Sequence, residues 1–312
     1  MHTHRYILQP YKGINSRHTC PACGRRREFT CYIDTTTNAP LSPEVGKCNR
    51  AINCSYHYTP KQYFTDHPIA QPASPQRTYD LRLKTYDLKV PASYMDKEIV
   101  KQSLQHYGSN HFMQYLCALF GTEAAARLVR RYFIGTAAHW QGATVFWQID
   151  TAGRARCGKI MLYDPQTGKR VKHPYNHITW VHSALKLPGY HLQQCLFGEH
   201  LLKGNNHTAA IVESEKTAII ASGCWPQYNW LASGSLTNLT PEKCSVLQGR
   251  HVILYPDLNA CEQWQKKAQE LSRITEVRVS TLLEQSATEA DREQGLDVAD
   301  YLVRMGVVQR PE

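Results

Sequence analysis

Two short apolar runs in this chain end on a carboxylate and pass at once into helix-like sequence. "AAIVESEKT" at 209–217 closes on Glu213, and "HVILYPDLNAC" at 251–261 closes on Asp257. If each run is a parallel strand, both acids lie outside the carboxyl ends of one sheet, where open α/β sheets bind ligands. Paired carboxylates on such a rim attract a divalent cation. Mg²⁺ held by one or two carboxylates and by phosphate oxygens is common apparatus for phosphoryl transfer. The competing explanation is that each acid only caps the helix that follows, where its charge meets the helix dipole.

A second constellation is built from cysteine. "CPACGRRREFTCYI" contains Cys20-x2-Cys23, and "GKCNRAINCSYHYTP" contains Cys48-x5-Cys54, with 24 residues between the pairs. A Cys-x2-Cys turn presents two thiolates to one zinc ion, and two such pairs at this separation are the sequence form of a zinc ribbon. Gly24 and Gly46 suit tight turns beside them. The second pair is wide, so His57 and Cys31 stay open as alternatives for a ligand. Four Cys ligands leave no position for water, which makes the expected zinc structural, and a segment this poor in aliphatic residues needs the metal to fold. The other cysteines of the 11 are scattered, as buried free thiols are in a reducing compartment.

Positive charge is unevenly placed. Residues 1–206 carry 26 Lys and Arg against 12 Asp and Glu, and residues 207–312 carry 10 against 14. The chain therefore suits a polyanion at one part and a cation at another. Arg25, Arg26 and Arg27 follow the first cysteine pair, among Tyr32, Tyr56, Tyr58, Tyr63 and Phe64. Cations interleaved with rings suit a single strand of nucleic acid, whose phosphates and bases they match, although a domain this small also needs rings for its core. Arg154, Arg156, Lys159, Lys169, Arg170 and Lys172 stand against Asp164 alone in 154–172. His173, His177 and His182 have no helix-borne metal spacing and read as ordinary surface or core histidines.

The elements that must position these groups are legible in outline. A ribbon over 1–66 is followed by a proline-rich linker over 67–92. "DKEIVKQSLQHY", "NHFMQYLCALFG" and "TEAAARLVRRYFIG" have helical spacing, with Gly121 and Gly135 as stops and Thr122 as an N-cap. "ATVFWQID" and "ARCGKIMLYD" form a hairpin across "TAG", which gives 93–206 a basic α+β character. From 207 to 312, strand and helix alternate as in a parallel doubly wound α/β sheet. No signal-like or membrane-spanning run is present, and a soluble cytoplasmic protein is expected.

The residues also resemble a known family. "AIVESEKTAIIAS" is similar to the first Toprim motif, "VILYPDLNACEQWQKKAQEL" to the second, and "GLDVADYL" to the later acidic element, with Asp297 and Asp300. A zinc ribbon, a linker, a basic segment containing "GKIMLYDPQTGKR", and then Toprim is the order of bacterial replicative primases. The full length resembles primase-like proteins of conjugative and other mobile elements. Two positions depart from the pattern: Ser214 replaces the usual glycine, and Asn259 replaces the second acid of Asp-x-Asp, which removes a charge from the cation site. No Walker loop occurs in the sequence.

The resemblance implies a compact Rossmann-like Toprim sheet and Mg-dependent nucleotidyl transfer on a single-stranded DNA template, a DNA primase-like activity used in mobile-element replication. Glu213, Asp257, Asn259, Asp297 and Asp300 would form the catalytic set, with magnesium on Glu213, Asp257 and Asp297. The implied partners are single-stranded DNA, nucleoside triphosphates, and a replicative helicase or mobilisation protein. The alternatives are a catalytically impaired Toprim protein that binds single strands as an adaptor, and a Toprim nuclease.

Overall fold

The computed structural model describes residues 5–11, 13–50, 54–67 and 91–306. Two units are distinguished, Met1–Tyr86 and Asp87–Glu312. The linker expected at 67–92 lies outside the described residues except for 67, 91 and 92.

In the first unit, strands β1 (Tyr6–Leu8), β2 (Phe29–Asp34), β3 (Gly46–Cys48) and β4 (His57–Tyr58) form an antiparallel sheet in that order. Helix α1 (Pro60–Asp66) follows, started by a capping box between Thr59 and Gln62 and by Pro60 at its first position. The core is thin: Phe29, Cys20, Cys31 and Cys48 are its buried members. Gly24 takes the tight turn of the first cysteine pair at φ 65°. Gly46 has a different reason from the turn expected of it. It lies within β3, where a Cβ would strike the Thr30 carbonyl and the Phe29 ring.

The second unit begins with α2 (Lys97–Ser103), α3 (His111–Phe120) and α4 (Thr122–Arg131). Gly121 is both the stop of α3 and the N-cap of α4, so Thr122 is the first helical residue instead of the cap. An antiparallel sheet follows, β5 (Ile134–Ala137), β6 (Ala143–Ile149), β7 (Ala155–Met161) and β8 (Ile178–Trp180). β6 and β7 are the expected hairpin. Asp150 organises its turn, accepting the N–H groups of Ala152 and Arg154 on one oxygen and the guanidiniums of Arg154 and Arg156 on the other. One face of this sheet carries Val145, Trp147, Ile149, Ala155 and Ile160, packed with Val181 of α5 (Val181–Ala184). Gly158 sits on that face, where a Cβ would run into the Trp147 ring.

The rest of the unit is a parallel sheet ordered β10-β9-β11-β12, from β9 (Ala209–Val212), β10 (Asn229–Ala232), β11 (His251–Leu254) and β12 (Glu276–Val279). The unbroken apolar run of β9 is buried on both faces, as central parallel strands are. Ala209 and Ile211 face a core with Cys244 of α7 (Pro241–Cys244) and with Trp264 and Leu271 of α8 (Cys261–Leu271). Ala210 and Val212 face α6 (Glu215–Cys224), α9 (Leu282–Ser286) and α11 (Val298–Arg304). Between α9 and α11 lies α10 (Glu289–Gln294), whose buried Asp291 binds Arg304.

The second face of the parallel sheet shares one continuous core with α3, α4 and the antiparallel sheet. Phe146 of β6 sits where they meet, 5.4 Å from the Phe112 ring and 5.9 Å from both Tyr163 and Phe197. The Tyr132 hydroxyl donates to the Trp230 carbonyl of β10 at 3.0 Å, and Phe197 bridges to Ala232, covering that sheet edge. The basic α+β segment and the parallel sheet, expected to divide at residue 206, thus share one core at their junction, while each also has an apolar cluster of its own. Among the described residues no helix is long and apolar enough to cross a membrane.

Phe146→Ala is expected to cost about 3–5 kcal/mol by leaving a cavity in this junction. Urea denaturation checks it, and a midpoint unchanged from wild type would show that the junction does not hold the unit together.

Candidate active site

The strand order of the parallel sheet decides where the acids go. From β9 the chain winds to β10 on one side, then crosses to β11 on the other, so a crevice opens between the carboxyl ends of β9 and β11. Glu213 directly follows β9, and Asp257 lies three residues beyond β11. Both line one cleft of about 510 Å³, together with Asp297, Asp300, Lys159, Lys169, Arg170 and Lys172. The rim acids and most of the basic hairpin residues singled out in the sequence thus share a single wall-to-wall site.

The acids are held in different ways. Asp297 and Asp300 form a capping box at the start of α11, each accepting the other's backbone N–H. The second oxygen of Asp297 accepts the Thr217 hydroxyl at 2.5 Å, and that of Asp300 pairs with Lys216 at 3.6 Å. The side-chain carboxylates of Glu213 and Asp257 receive no hydrogen bond or ion pair among the described residues. Burial raises Glu213 above the usual carboxylate range, with Arg170 and Lys159 opposing. Burial, then the charges of Asp297, Glu213 and Asp300, push Asp257 up to about 8. Crowded, unpartnered negative charge of this kind is what a divalent cation relieves.

The donor set fits Mg²⁺ in one manner only. Among the described residues, the acids do not bring three ligand atoms within 4.8 Å of one another. A cation here would be held by one or two carboxylates, with water or phosphate oxygens completing its shell.

Several residues outside the expected site set line or support the cleft, among them Glu215, whose place two residues beyond Glu213 marked it as a partial source of the charge that Asn259 lacks. Glu215 is 2% exposed and grips Lys159 through both oxygens at 3.1 and 3.2 Å, which ties β7 to the first turn of α6. Lys216 is also drawn inside, and although burial works to lower it, Asp297 and Asp300 hold it above the usual lysine range. Thr217 relays a contact from Ser214 to Asp297. The only sequence signal for these three was position, since the first turn after a strand-end acid must lie on the same rim.

Other expected site residues lie elsewhere. Asn259 does not line the cleft: its backbone is left-handed at φ 69°, and its amide donates to the Arg292 carbonyl at 2.7 Å. Asparagine tolerates that conformation better than most residues. Arg154 and Arg156 are committed to Asp150 and lie against the Tyr94 ring at 4.5 and 5.0 Å. Arg156 lines a separate cleft of about 310 Å³ with Lys243. His173 lines the acidic cleft, His177 stacks on Tyr175, and His182 stacks on Tyr190.

In the first unit, the sulfurs of Cys20, Cys23, Cys48 and Cys54 lie within 4.8 Å of one another, with Cys20 and Cys54 at 3.7 Å. Four bonds of about 2.3 Å in a tetrahedron separate sulfurs by about 3.8 Å, so the set fits zinc. Cys31 is outside this group, and His57 is engaged by the Tyr32 hydroxyl at 3.0 Å. The Arg25 N–H draws Cys23 down to about 7, whereas burial pushes Cys48 up to about 12. Arg25, Arg26 and Arg27 are exposed beside the first pair. The neighbouring rings mostly meet one another, as with Tyr63 and Phe64 at 5.5 Å and Phe29 and Tyr56 at 5.9 Å, which is a core role.

Residues 4–69 match a family of zinc beta-ribbon fingers. That match covers all four clustered cysteines, and the two observations together support a structural zinc. Residues 110–258 match a domain of unknown function, DUF6371. No match was found among curated proteins. Among solved structures, the primase fragment of the bacteriophage T7 primase-helicase protein is similar over 94% of this chain and 98% of its own, at 14% identity and a TM-score of 0.39. The Mycobacterium tuberculosis primase DnaG RNA polymerase domain, in complex with a double-stranded DNA oligomer with a 6-nucleotide overhang, is similar over 67% and 74%, at 14% identity and 0.42. The E. coli primase catalytic core is similar over 67% and 82%, at 13% identity and 0.41.

Elemental analysis is expected to find one zinc per chain. Its removal by a chelator should abolish amide protection in β2 and β3 while residues 91–306 keep theirs; protection unchanged in zinc-free protein would contradict the ribbon's dependence on metal.

The raised Asp257 has a second consequence. Its folded form holds a proton that its unfolded form has lost between pH 3.8 and about 8, so its stability contribution falls as pH rises through that window. In metal-free protein, Asp257→Asn should therefore raise the melting temperature most near pH 8 and least near pH 4. A gain independent of pH would show that Asp257 is not crowded by charge.

Proposed function

We propose that this chain is a primase-like nucleic-acid-binding protein whose parallel unit is a Toprim domain, performing Mg-dependent nucleotidyl transfer on single-stranded DNA in mobile-element replication. One observation carries the reading: a single cleft sets two unpartnered, crowded carboxylates opposite exposed cations on a hairpin loop. The acids demand a cation, and Lys169, Arg170 and Lys172, exposed and free of any carboxylate partner among the described residues, offer contacts to phosphate.

A bound Mg²⁺ would lower the pKa of an attacking 3′ hydroxyl and neutralise phosphate charge. Glu213 and Asp257 would hold that ion. Lys159, clamped by Glu215, keeps the basic sheet at a fixed distance from the rim. Arg170 and its neighbours would orient the triphosphate, and the exposed Arg25, Arg26 and Arg27 of the ribbon would add contacts to the template. The adaptor reading has its own support, because two of the four acids are already occupied by protein groups.

The deciding assay is nucleotide incorporation on a single-stranded template with Mg²⁺ or Mn²⁺. Product is expected from wild type, with a loss of at least about 100-fold, or about 2.7 kcal/mol, in Glu213→Gln and Asp257→Asn. Asn259→Asp, whose side chain faces away from the cleft, should leave the yield unchanged. Activity surviving in both acid variants would sink the metal assignment. Salt-sensitive binding without synthesis would favour the adaptor, and strand cleavage without synthesis a nuclease.

A further inference from the structure

The four acids of the cleft form two pairs with different occupancy. Each oxygen of Asp297 and Asp300 already has a protein partner: two backbone N–H groups, the Thr217 hydroxyl and the Lys216 ammonium. Lys216 is 15% exposed at its side chain and enters from the first turn of α6, which also carries Thr217. On the other side, Glu213 and Asp257 have no such partner among the described residues.

We propose that the cleft takes a single divalent cation, on Glu213 and Asp257, and that Lys216 is a built-in counter-charge closing the Asp297 and Asp300 side to a second ion. The inference rests on the reading of the cleft as a divalent-cation site. Its physical basis is charge and access. A dication placed against Asp300 would face a tethered ammonium at about ion-pair distance, one whose own side chain is only 15% exposed and so is poorly screened on its inner side. It would also have to displace the hydroxyl and N–H donors that fix Asp297. Lys216 cannot swing out cheaply either, because leaving would strand a partly buried carboxylate without its cation. Phosphate charge that a second ion would otherwise neutralise is left to Arg170, Lys169 and Lys172 across the cleft.

The test counts Mn²⁺ bound to the full-length, zinc-loaded chain, from the loss of the free-ion signal in electron paramagnetic resonance. A Glu213→Gln, Asp257→Asn double variant supplies the background of adventitious binding. Wild type and Lys216→Arg are expected to bind one ion above that background. Lys216→Gln and Lys216→Met, checked for folding by thermal melting, are each expected to bind two. Two ions on wild type, or one on a folded Lys216→Gln or Lys216→Met chain, would overturn the proposal and leave the cation site standing. No ion on wild type would overturn the site itself, and the proposal with it. Where a neutral variant fails to fold, two ions on wild type would still overturn the proposal, and the other neutral variant carries the test of Lys216.

Discussion

The molecule is organised by one requirement, that β9 be kept dry on both sides. A central parallel strand of Ala209, Ala210, Ile211 and Val212 has nothing to offer water on either face. Helices α7 and α8 close one face. The other is too broad for α6 and α11 alone, and α3, α4 and the antiparallel sheet complete it through Phe146, Tyr163 and Phe197. That packing, required by burial, is what brings β7 and the loop after it over the rim. The basic wall of the cleft is therefore a by-product of covering a strand, and Lys159 meets Glu215 because the core leaves it no other place.

How much of this was legible depended on the range of the interaction. Glu213 and Asp257 could be paired from sequence because their positions follow from strand ends, a local property, plus one rule about sheet rims. The β6 and β7 hairpin was legible for the same reason, with alternation on both sides of a three-residue turn. Strands β5 and β8 were not, being short pieces without a clean period, nor was the long irregular stretch between α5 and β9. Lys216 and Thr217 were invisible as site residues because what gives them a role, Asp297 and Asp300, arrives from about 80 residues further on. Spacing also left the ribbon's ligand set open, and only the position of Tyr32 against His57 and the exclusion of Cys31 from the cluster separate the choices.

Asn259 shows how a motif can mislead where the backbone has its own demands. By pattern it is a missing acid. In the fold it occupies a left-handed corner and ties the α8 approach to α10 by bonding the Arg292 carbonyl. Arg154 and Arg156 misled in the opposite direction. They counted toward a basic surface, yet buried Asp150 claims both, so much of their charge is spent on shaping a turn. Charge tallies register residues, whereas electrostatic fields depend on what remains unpaired.

The β6 and β7 ladder shifts register between Gln148 and Ile149, so that Cys157 opposes Gln148, Ala155 opposes Ile149, and Arg156 is left between them. Such a bulge changes which way a strand's side chains point on either side of it. Ala155 keeps to the face with Trp147, while Cys157, Lys159 and Met161 follow one another on the face toward the parallel sheet. The extra residue thus acts as a phase adjuster. It lets one strand satisfy an apolar face near its start and deliver an ammonium to the cleft further along, two tasks that a strictly alternating strand in this register could not combine. Length, and not only residue type, is under constraint in this hairpin, and its tolerance of insertion or deletion should be found in the exposed turn and not along the strand.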